Sequence, residues 1–514
     1  MRLKVNVLGI ESGGKPIVFL NKYDADEIGV TASGRVRLSS RKGELTAIVN
    51  VAATSVKKGF IGINEEVRKA LTLKHYTYID VEVAPFPKSL QFIRNKLTGK
   101  KLLYREVHEI VKDIVEGNLN EGEITAFITA LHIQGLDLDE ATSLASSMVE
   151  TGKQLKFNEK IIVDKHSIGG VPGDKTTLLV VPIIAAAGLI IPKTASRAIT
   201  SPAGTADRAE ALMPVNLRIE EMKGVVKKCN GCIVWGGALE LAPADDIFVR
   251  AEYSLSIDPL LLPSIMSKKK AVGATHLAVD IPTGRGAKIK TIGEADLLAR
   301  DIIELGKKLG IHSQCVITYG EQPVGFTIGP ALEAREAIEV LMNKSHVSDL
   351  VDKVCHLAGT IFEAVGEKNG YNLAREILRN GKAEKKLREI IYHQGGDPDV
   401  KPDDFVIGEH KLHVRSRKAG QVLWMDNSIF VEIARAAGSP KDKGAGILLS
   451  KKQGDKVEKN EVIFTVYAEK SRKLSRVEDV LEAREPVGIG DRMEMFIHKV
   501  KEAPVVRRAF VLDR

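Results

Sequence analysis

The chain of 514 residues is too long for a single hydrophobic core and predicts three or four domains. It has 75 Lys and Arg against 67 Asp and Glu, a net charge of +8, and the two signs are interleaved along the chain. A surplus of eight positive charges on a chain of this length does not favour nucleic-acid binding. A cationic pocket for an anionic metabolite explains the surplus as well as nucleic-acid binding does.

No stretch has the pattern of a membrane or targeting segment. The first seven residues alternate polar and apolar side chains as a strand does, without the continuous apolar core of a signal peptide. The longest apolar run, 178–191, contains Pro182 and Gly188 and is too short to cross a bilayer. It predicts a buried helix followed by a strand, and we expect a cytoplasmic protein.

The four cysteines are too few for the disulfide framework of a secreted protein. Cys229 and Cys232 are spaced as half of a zinc site, but Cys315 and Cys355 are single, so zinc is not expected. The favoured interpretation is a helix end and a turn entering a strand at 232–235. A local disulfide between the first two cysteines stays open.

Residues 1–157 show two different patterns of apolar residues, one after the other. Residues 1–84 contain short β-patterned runs broken by Gly and Asp, which predict a small β module that ends at Pro85-Phe86-Pro87. Residues 85–157 predict a helical domain, which further helices from elsewhere in the chain complete. Its apolar positions repeat with helical spacing in 105–115, 124–133 and 141–148.

From 158 to 400, apolar strand-like runs alternate with helices, which indicates a mainly parallel α/β sheet with loops at the carboxyl ends of its strands. The predicted strands are 161–163, 190–191, 233–235, 276–281 and 315–318. Residues 401–514 predict a β-rich C-terminal domain. The expected fold class is therefore α/β multidomain, with a small N-terminal β module and a helical domain facing the parallel sheet.

A glycine-rich stretch follows the first predicted strand of the α/β domain. Lys165 supplies a positive charge, and Ser167 and Thr177 supply hydroxyl donors. Three glycines between them let the backbone approach a ligand, and a helix predicted to begin near Lys175 directs its positive end to the same place. The pattern favours a phosphate site, with a glycine turn and helix cap as the structural alternative.

The same stretch is not a Walker A loop. Asp174 stands between Gly173 and Lys175, where that motif has glycine and lysine adjacent. His166, which lies between the first cation and the first hydroxyl, is expected to be a structural hydrogen-bonding residue rather than a general base.

A second polar loop, 196–205, follows the next predicted strand. It holds four hydroxyl side chains, has Lys193 and Arg197 nearby, and precedes a helix predicted to open at Thr205. A polar loop with Thr205 as its N-cap is the structural alternative. Because both loops follow strands of one sheet, they favour a shared anion-binding cleft.

A third stretch combines an acid with an apolar helix. Asp258 precedes Pro259 at the mouth of that helix, where a partly desolvated carboxyl could keep a proton to donate, and a helix-capping Asp is the structural alternative. Ser264 and Lys268 stand four residues apart, on one helix face, and could reach one ligand together.

Further lysines follow. Lys269 and Lys270 are expected to be solvated. The loop 280–290 carries glycines and three cations after a strand. It predicts either a solvated basic loop or a contact from Lys288 to a second anionic group.

Together these stretches resemble the thymidine and pyrimidine-nucleoside phosphorylases, most closely the archaeal branch of that family that acts on nucleotides. The resemblance extends over essentially the whole chain, including both terminal β domains. It implies an all-helical domain that faces an α/β domain across a cleft that closes on the substrates.

The resemblance assigns roles residue by residue. It implies that Lys165, Ser167 and Thr177 bind the attacking phosphate and that Asp258 is the catalytic proton donor to the leaving base. The implied substrate-binding residues are Gly170, Ser196, Arg197, Ala198, Ile199, Thr200, Ser201, Thr205, Ser264, Lys268 and Lys288.

At one position the chain differs from the nucleoside enzymes of the family, and this difference narrows the range of expected substrates. The nucleoside enzymes of the family carry a base-binding arginine seven residues before the position of Asp258, where this chain has Ala251 next to Arg250. This favours the nucleotide branch. The resemblance then implies phosphorolysis of AMP, with CMP and UMP as further candidates, to the free base and ribose 1,5-bisphosphate.

Other functions stay open. They are a thymidine or pyrimidine-nucleoside phosphorylase, a Mg²⁺-dependent phosphoribosyltransferase related to the anthranilate enzyme, and a non-catalytic scaffold, which leaves the polar loops unexplained. No metal and no cofactor is expected. The expected partners are small-molecule substrates, with no nucleic acid and no membrane, and the resemblance implies a homodimer or larger homo-oligomer.

Overall fold

The N-terminal segment closes into a six-stranded barrel in the computed structural model, which describes residues 1–198, 201–255 and 257–491. Apolar side chains that alternate along the strands, such as Leu3, Val5 and Leu38, fill its interior. Its elements are β1 (Arg2–Val7), β2 (Ile17–Asn21), α1 (Lys22–Ile28), β3 (Arg35–Ser40), β4 (Gly43–Ala52), β5 (Phe60–Ile63), α2 (Glu65–Leu71) and β6 (Tyr78–Val83). The strand order around the barrel is β1-β5-β2-β4-β3-β6.

A helical lobe follows, and two helices from later in the chain complete it. Capping boxes begin two of its helices at Asn120 and Asp137. The rings of Phe127 and Phe248 pack 6.2 Å apart and join early and late helices in one core. The helices are α3 (Ser89–Leu97), α4 (Tyr104–Val115), α5 (Glu121–Gln134), α6 (Leu138–Glu150), α10 (Pro243–Leu255) and α11 (Leu261–Ala271).

The α/β domain contains five parallel strands, which are β7 (Val163–Ser167), β8 (Ile191–Ala195), β9 (Gly231–Trp235), β10 (His276–Thr283) and β11 (His312–Tyr319). They run in the order β11-β10-β7 and β8-β9, and a parallel bridge between Ile162 and Ile190 links the two groups. The flanking helices are α7 (Thr176–Ala186), α8 (Thr205–Glu210), α9 (Ile219–Cys229), α12 (Ile292–Leu309), α13 (Pro330–Leu341), α14 (Ser348–Ala364), α15 (Gly370–Arg379) and α16 (Lys382–Gln394).

Up to residue 491, where the described part of the chain ends, the C-terminal domain consists of two small sheets and two helices. Its elements, with one short strand from the end of the α/β segment, are β12 (Thr327–Ile328), β13 (His410–Arg415), β14 (Gly420–Met425), α17 (Asn427–Ala437), β15 (Gly446–Leu449), β16 (Lys456–Val457), β17 (Val462–Ala468), α18 (Arg472–Ala483) and β18 (Val487–Gly490). The sheet orders are β12-β15-β17-β13 and β16-β14-β18. Short 3₁₀ helices lie at Gly236–Leu239 and Pro402–Asp404. The predicted fold class is confirmed.

Several strands extend further than predicted. Strand β7 includes Asp164, Lys165 and Ser167, which the sequence had suggested leave the strand, and β10 extends beyond the predicted end at Ile281 to Thr283. Charged residues interrupt the apolar pattern of these strands, but each one is buried against an opposite charge, so the strand continues through it. The functional side chains therefore stand on the sheet itself as well as in loops.

The cysteine motif folds as the favoured interpretation predicted. Helix α9 ends at Cys229, Asn230 takes a left-handed conformation, and β9 begins at Gly231. Cys229 and Cys232 are free thiols, so the alternative of a disulfide is wrong. Burial raises the pKa of the Cys232 thiol, which keeps it protonated and inert. Among the described residues, no helix is long and apolar enough to span a membrane.

Candidate active site

Lys165 is the centre of the predicted phosphate site. Its Nζ, buried at the end of β7, donates to Thr176 Oγ1 at 2.7 Å and lies 3.5 Å from Thr177 Oγ1 at the start of α7. Burial lowers the pKa of Lys165, while the carboxylates of Asp174 and Asp280 oppose that shift. The ammonium thus stands at the N-terminus of a helix between two hydroxyls, in the manner of an anion site.

Ser167 is held next to this lysine by a buried carboxylate. Its Oγ donates to Asp280 Oδ2 at 2.8 Å, and Thr318 Oγ1 donates to Asp280 Oδ1 at 2.6 Å. Lys353 Nζ lies 2.9 Å from Asp280 Oδ2. The structure therefore brings the three predicted phosphate-binding residues to one edge of the sheet. It adds Asp280, which could have been found as a charged residue inside an apolar strand.

A second charge cluster supports the strand from the opposite side. Asp164 Oδ2 accepts from Lys269 Nζ at 2.7 Å, and its Oδ1 lies 3.3 Å from Lys193 Nζ. Burial would raise the pKa of Asp164, but the two ammonium groups outweigh it and hold the pKa low. Lys269 is only 2% exposed, so the prediction that it is solvated is wrong. It joins helix α11 of the helical lobe to strand β7.

His166 does not behave as expected. Its side chain makes no hydrogen bond within the described part of the chain, so it is not the structural hydrogen-bonding residue that was predicted. Burial, with the nearby charges of Lys269 and Lys193, lowers its pKa well below the usual value. The imidazole is therefore neutral near pH 7 and a weak proton acceptor, and the expectation that it is not a general base stays a prediction.

The second loop is closed by a residue that the sequence analysis missed. Asp207 Oδ2 accepts from the N–H of Ala198 at 2.8 Å and from the N–H of Gly204 at 2.9 Å. The two ends of the loop are so close that a Cβ at Gly204 would meet Ala198 N at 2.5 Å. Gly204, and not Thr205, is the N-cap of α8, and Thr205 is the first helical residue.

Arg197, the cation within the loop 196–205, is already paired with a carboxylate. Arg197 forms two hydrogen bonds with Glu210, at 2.5 and 2.9 Å, and its guanidinium stacks 5.1 Å from the Trp235 ring. Ser196 accepts an N–H from α8 through its carbonyl, and Ser201 Oγ donates to a backbone carbonyl. The predicted positions Ile199 and Thr200 lie outside the described residues.

Asp258 lies where the two lobes meet. Its Oδ2 is 3.5 Å from Lys288 Nζ, and both side chains are 49% exposed. Helix α11 begins only at Leu261, with Leu260 as its N-cap and no side-chain cap, so Asp258 is not the capping residue of the alternative interpretation. Gly170 packs against the same lysine, since a Cβ there would lie 2.7 Å from Lys288 N. Three predicted residues thus share one opening.

The loop 280–290 carries two other cations, Arg285 and Lys290, and they have different partners. Arg285 stacks 5.5 Å from the ring of Trp424 in the C-terminal domain. Lys290 Nζ donates to the carbonyl of Ala287 at 2.7 Å. Lys288 alone of the three pairs with Asp258.

Ser264 and Lys268 lie on one face of α11, as predicted. Lys268 Nζ is 3.4 Å from Ser264 Oγ and 2.6 Å from Asp245 Oδ2 of the neighbouring helix α10. Burial would lower the pKa of Lys268, but Asp245 and its neighbours hold it above the usual value. The charge of this lysine also contributes to the lowered pKa of His166.

Glu252, a third missed carboxyl, supports the turn that carries Asp258. Its Oε1 accepts the N–H of Leu260 at 3.0 Å, and its backbone carbonyl accepts the N–H of Ile257 at 3.2 Å. Burial, together with the negative charges of Asp258 and Asp245, raises its pKa to about 7. The sequence gives no signal for this residue, because an acid on a helix is ordinarily solvated.

We expect Glu252→Gln to be more stable than the wild type by about 1–3 kcal/mol at about pH 8, and equal to it at about pH 4. The folded-state pKa is raised from 4.5 to about 7. In that window the unfolded chain loses its proton first, so stability falls as the pH rises. Glutamine keeps the acceptor for Leu260 and does not titrate.

Urea unfolding measured from about pH 4 to about pH 8 checks this. A difference between the two proteins that is the same at every pH would contradict it.

No three His, Cys, Asp or Glu side chains of the described chain are grouped as metal ligands would be.

The comparisons agree with the arrangement of lobes. Residues 159–384 match the model of the glycosyl transferase family a/b domain, and residues 90–152 match that of its helical bundle domain. Residues 424–486 match the pyrimidine nucleoside phosphorylase C-terminal domain. The fold and the site therefore define a glycosyl transferase of the nucleoside phosphorylase class.

Individual relatives of similar sequence show which family within this class the chain belongs to. The chain is 48% identical to AMP phosphorylase of Thermofilum pendens over all of both chains. It is 46% identical to AMP phosphorylase of Pyrococcus furiosus, over 95% of this chain and 98% of that one. The chain belongs to the AMP phosphorylase family.

Among solved structures, anthranilate phosphoribosyltransferase from Thermus thermophilus is similar with a TM-score of 0.51. At 19% identity, over 59% of this chain and 98% of that chain, the likeness shows a shared fold.

Proposed function

We propose that the protein catalyses the phosphorolysis of AMP. An oxygen of inorganic phosphate forms a bond to C1′ while the bond from C1′ to the adenine nitrogen breaks. The electron pair of that bond leaves with the base, which takes a proton. The products are adenine and ribose 1,5-bisphosphate.

Lys165, Ser167 and Thr177 are proposed to hold the attacking phosphate. The ammonium and the N-terminus of α7 supply positive charge, and the two hydroxyls fix the orientation of the oxygens. Ser167 donates its one hydroxyl hydrogen to Asp280 in the described state, so this hydrogen is proposed to turn from Asp280 to a phosphate oxygen when phosphate binds. Oriented phosphate also stabilises the positive charge that develops at C1′.

Asp258 is proposed to give the proton to the leaving base. A nucleotide that enters between Asp258 and Lys288 displaces the ammonium and water from this half-exposed carboxyl. Loss of water favours its neutral form, which carries the proton. Lys288 then faces the 5′-phosphate, with Gly170 leaving room for its backbone. Ser264 and Lys268 are proposed to contact the base, and the loop 196–205 the rest of the nucleotide.

One observation supports this proposal most directly. Asp258 Oδ2, on the helical lobe, lies 3.5 Å from Lys288 Nζ of the α/β domain, and Gly170 packs against the backbone of the same lysine. This arrangement supports a site in which a proton donor acts beside two groups suited to an anion. A substrate with a base at one end and a phosphate at the other fits that pairing.

A substrate panel tests the proposal. The protein is incubated with phosphate and with AMP, CMP, UMP, adenosine or uridine, in the presence of a chelator, and release of the base is followed. Turnover of AMP is expected to continue without metal. Turnover of nucleosides alone would identify a nucleoside phosphorylase, and strict dependence on Mg²⁺ would favour the transferase.

Two further features are proposed from the same family. They are a cytoplasmic location and a homodimer or larger homo-oligomer. Light scattering coupled to size-exclusion chromatography tests the assembly, and a monomer at micromolar concentration would contradict it.

A further inference from the structure

We propose that Lys443 of the C-terminal domain positions the substrate loop 196–205 from outside the α/β domain. The proposal rests on the proposed function, in which that loop contacts the nucleotide. It gives the C-terminal domain a part in substrate binding, although that domain contributes none of the predicted site residues. Lys443 acts through Glu210 and is a positioning residue.

The loop depends on two carboxylates of helix α8. Asp207 bonds the backbone at both ends of the loop, and Glu210 takes two hydrogen bonds from Arg197. Arg197 Nη1 also lies 3.3 Å from Asp207 Oδ1. One short helix therefore fixes both the backbone of the loop and its cation, so the placement of this helix decides the placement of the loop.

Lys443 reaches this helix across the domain boundary. Its Nζ donates to Glu210 Oε2 at 2.5 Å and lies 3.9 Å from Asp207 Oδ1. Glu210 is thereby held between Arg197 on the loop and Lys443 on the C-terminal domain. The hydrogen bond from Arg197, aided by the one from Lys443, lowers the pKa of Glu210 to about 2, so the carboxylate stays charged at neutral pH.

The backbone around Lys443 is itself fixed. Its carbonyl accepts the N–H of Ala331, at the start of α13, at 3.1 Å. The next residue, Gly444, donates its N–H to Glu469 Oε1 at 2.8 Å. Because the backbone at Lys443 is held by these hydrogen bonds, its ammonium group can restrain Glu210. Without it, Glu210 keeps only its hydrogen bonds from Arg197, so the two side chains can shift together and the described ends of the loop, 196–198 and 201–205, are held less firmly.

Kinetics of the full-length protein provide the first test. Lys443→Ala is expected to raise the KM for AMP about two- to tenfold, with kcat and the KM for phosphate within about twofold of wild type, since one partly exposed ion pair is lost. Lys443→Arg should restore most of the KM. The matched control is Lys473→Ala, which removes the adjacent ion pair with Asp442 (2.6 Å) and not a contact to α8.

An optical test needs no activity. The chain has two tryptophans, and Arg197 stacks on Trp235. In a Trp424→Phe background the emission of Trp235 should change on Lys443→Ala and stay constant on Lys473→Ala, because only the first removes a partner of Glu210 and lets Arg197 shift against the Trp235 ring.

The outcomes separate the two proposals. A wild type that does not act on AMP, with the emission change present, would reject the proposed function and keep the positioning role. Normal kinetics and unchanged emission in Lys443→Ala would overturn the positioning role. Equal effects of Lys443→Ala and Lys473→Ala would also overturn it, since they would indicate general destabilisation of the domain.

Discussion

Asp258→Asn is expected to lower kcat for AMP by about 10²- to 10⁴-fold, the usual contribution of a general acid, with little change in AMP binding. Asparagine keeps the size of the side chain and can still contact the nucleotide, but it cannot transfer a proton to the departing base. The side chain is half exposed and caps no helix, so the substitution removes no structural contact except the pair with Lys288. The substitution should therefore lower kcat and leave the affinity for AMP nearly unchanged.

Single-turnover kinetics and equilibrium binding of AMP, measured on the same samples, separate the two effects. Asp301→Asn is a matched control, because Asp301 is an exposed carboxyl of α12 and belongs to none of the clusters at the site. Turnover near the wild-type level in Asp258→Asn would remove its role as proton donor. A comparable loss in AMP affinity would instead assign it to ground-state binding.

The sequence predicted the fold class and the parallel strands better than the contacts that support them. Periodicity located the parallel strands, because apolar runs bury a sheet on both faces. It ended β7 too early, since Asp164 and Lys165 are charged and their buried partners come from distant positions. Lys269, the partner of Asp164, lies 105 residues away, and no local pattern indicates such a pair.

The predicted site residues came from their chemistry and from the family resemblance, and their roles stay predictions. Their partners in the fold were not predicted. Glycines and hydroxyls at strand ends indicate an anion site, because backbone and helix termini create it locally. Asp207, Asp280 and Glu252 orient that site through contacts that exist only in the folded chain. The prediction also treated Arg197 as a free cation, whereas Glu210 engages it. A free cation and a paired one have the same sequence pattern.

Lys165→Met is expected to lower kcat/KM for phosphate by about 10²-fold or more, because one preorganised charge is removed from the transition state. The loss has two causes. The ammonium no longer attracts phosphate, and the carboxylates of Asp174 and Asp280 then repel it with less compensation. Lys353 remains beside Asp280, so one cation still compensates the buried acids and the variant should fold.

Graded variants make this result specific. Thr177→Val removes one hydroxyl and no charge, so a smaller increase in the KM for phosphate is expected. Lys270→Met removes an exposed charge at the end of α11 and should leave the KM unchanged, since screened surface charge contributes little. Initial rates at varied phosphate, with circular dichroism of each variant, provide the measurement. If Lys165→Met and Lys270→Met give the same KM, the phosphate does not bind at the end of β7, and the attacking group must approach C1′ from another part of the cleft.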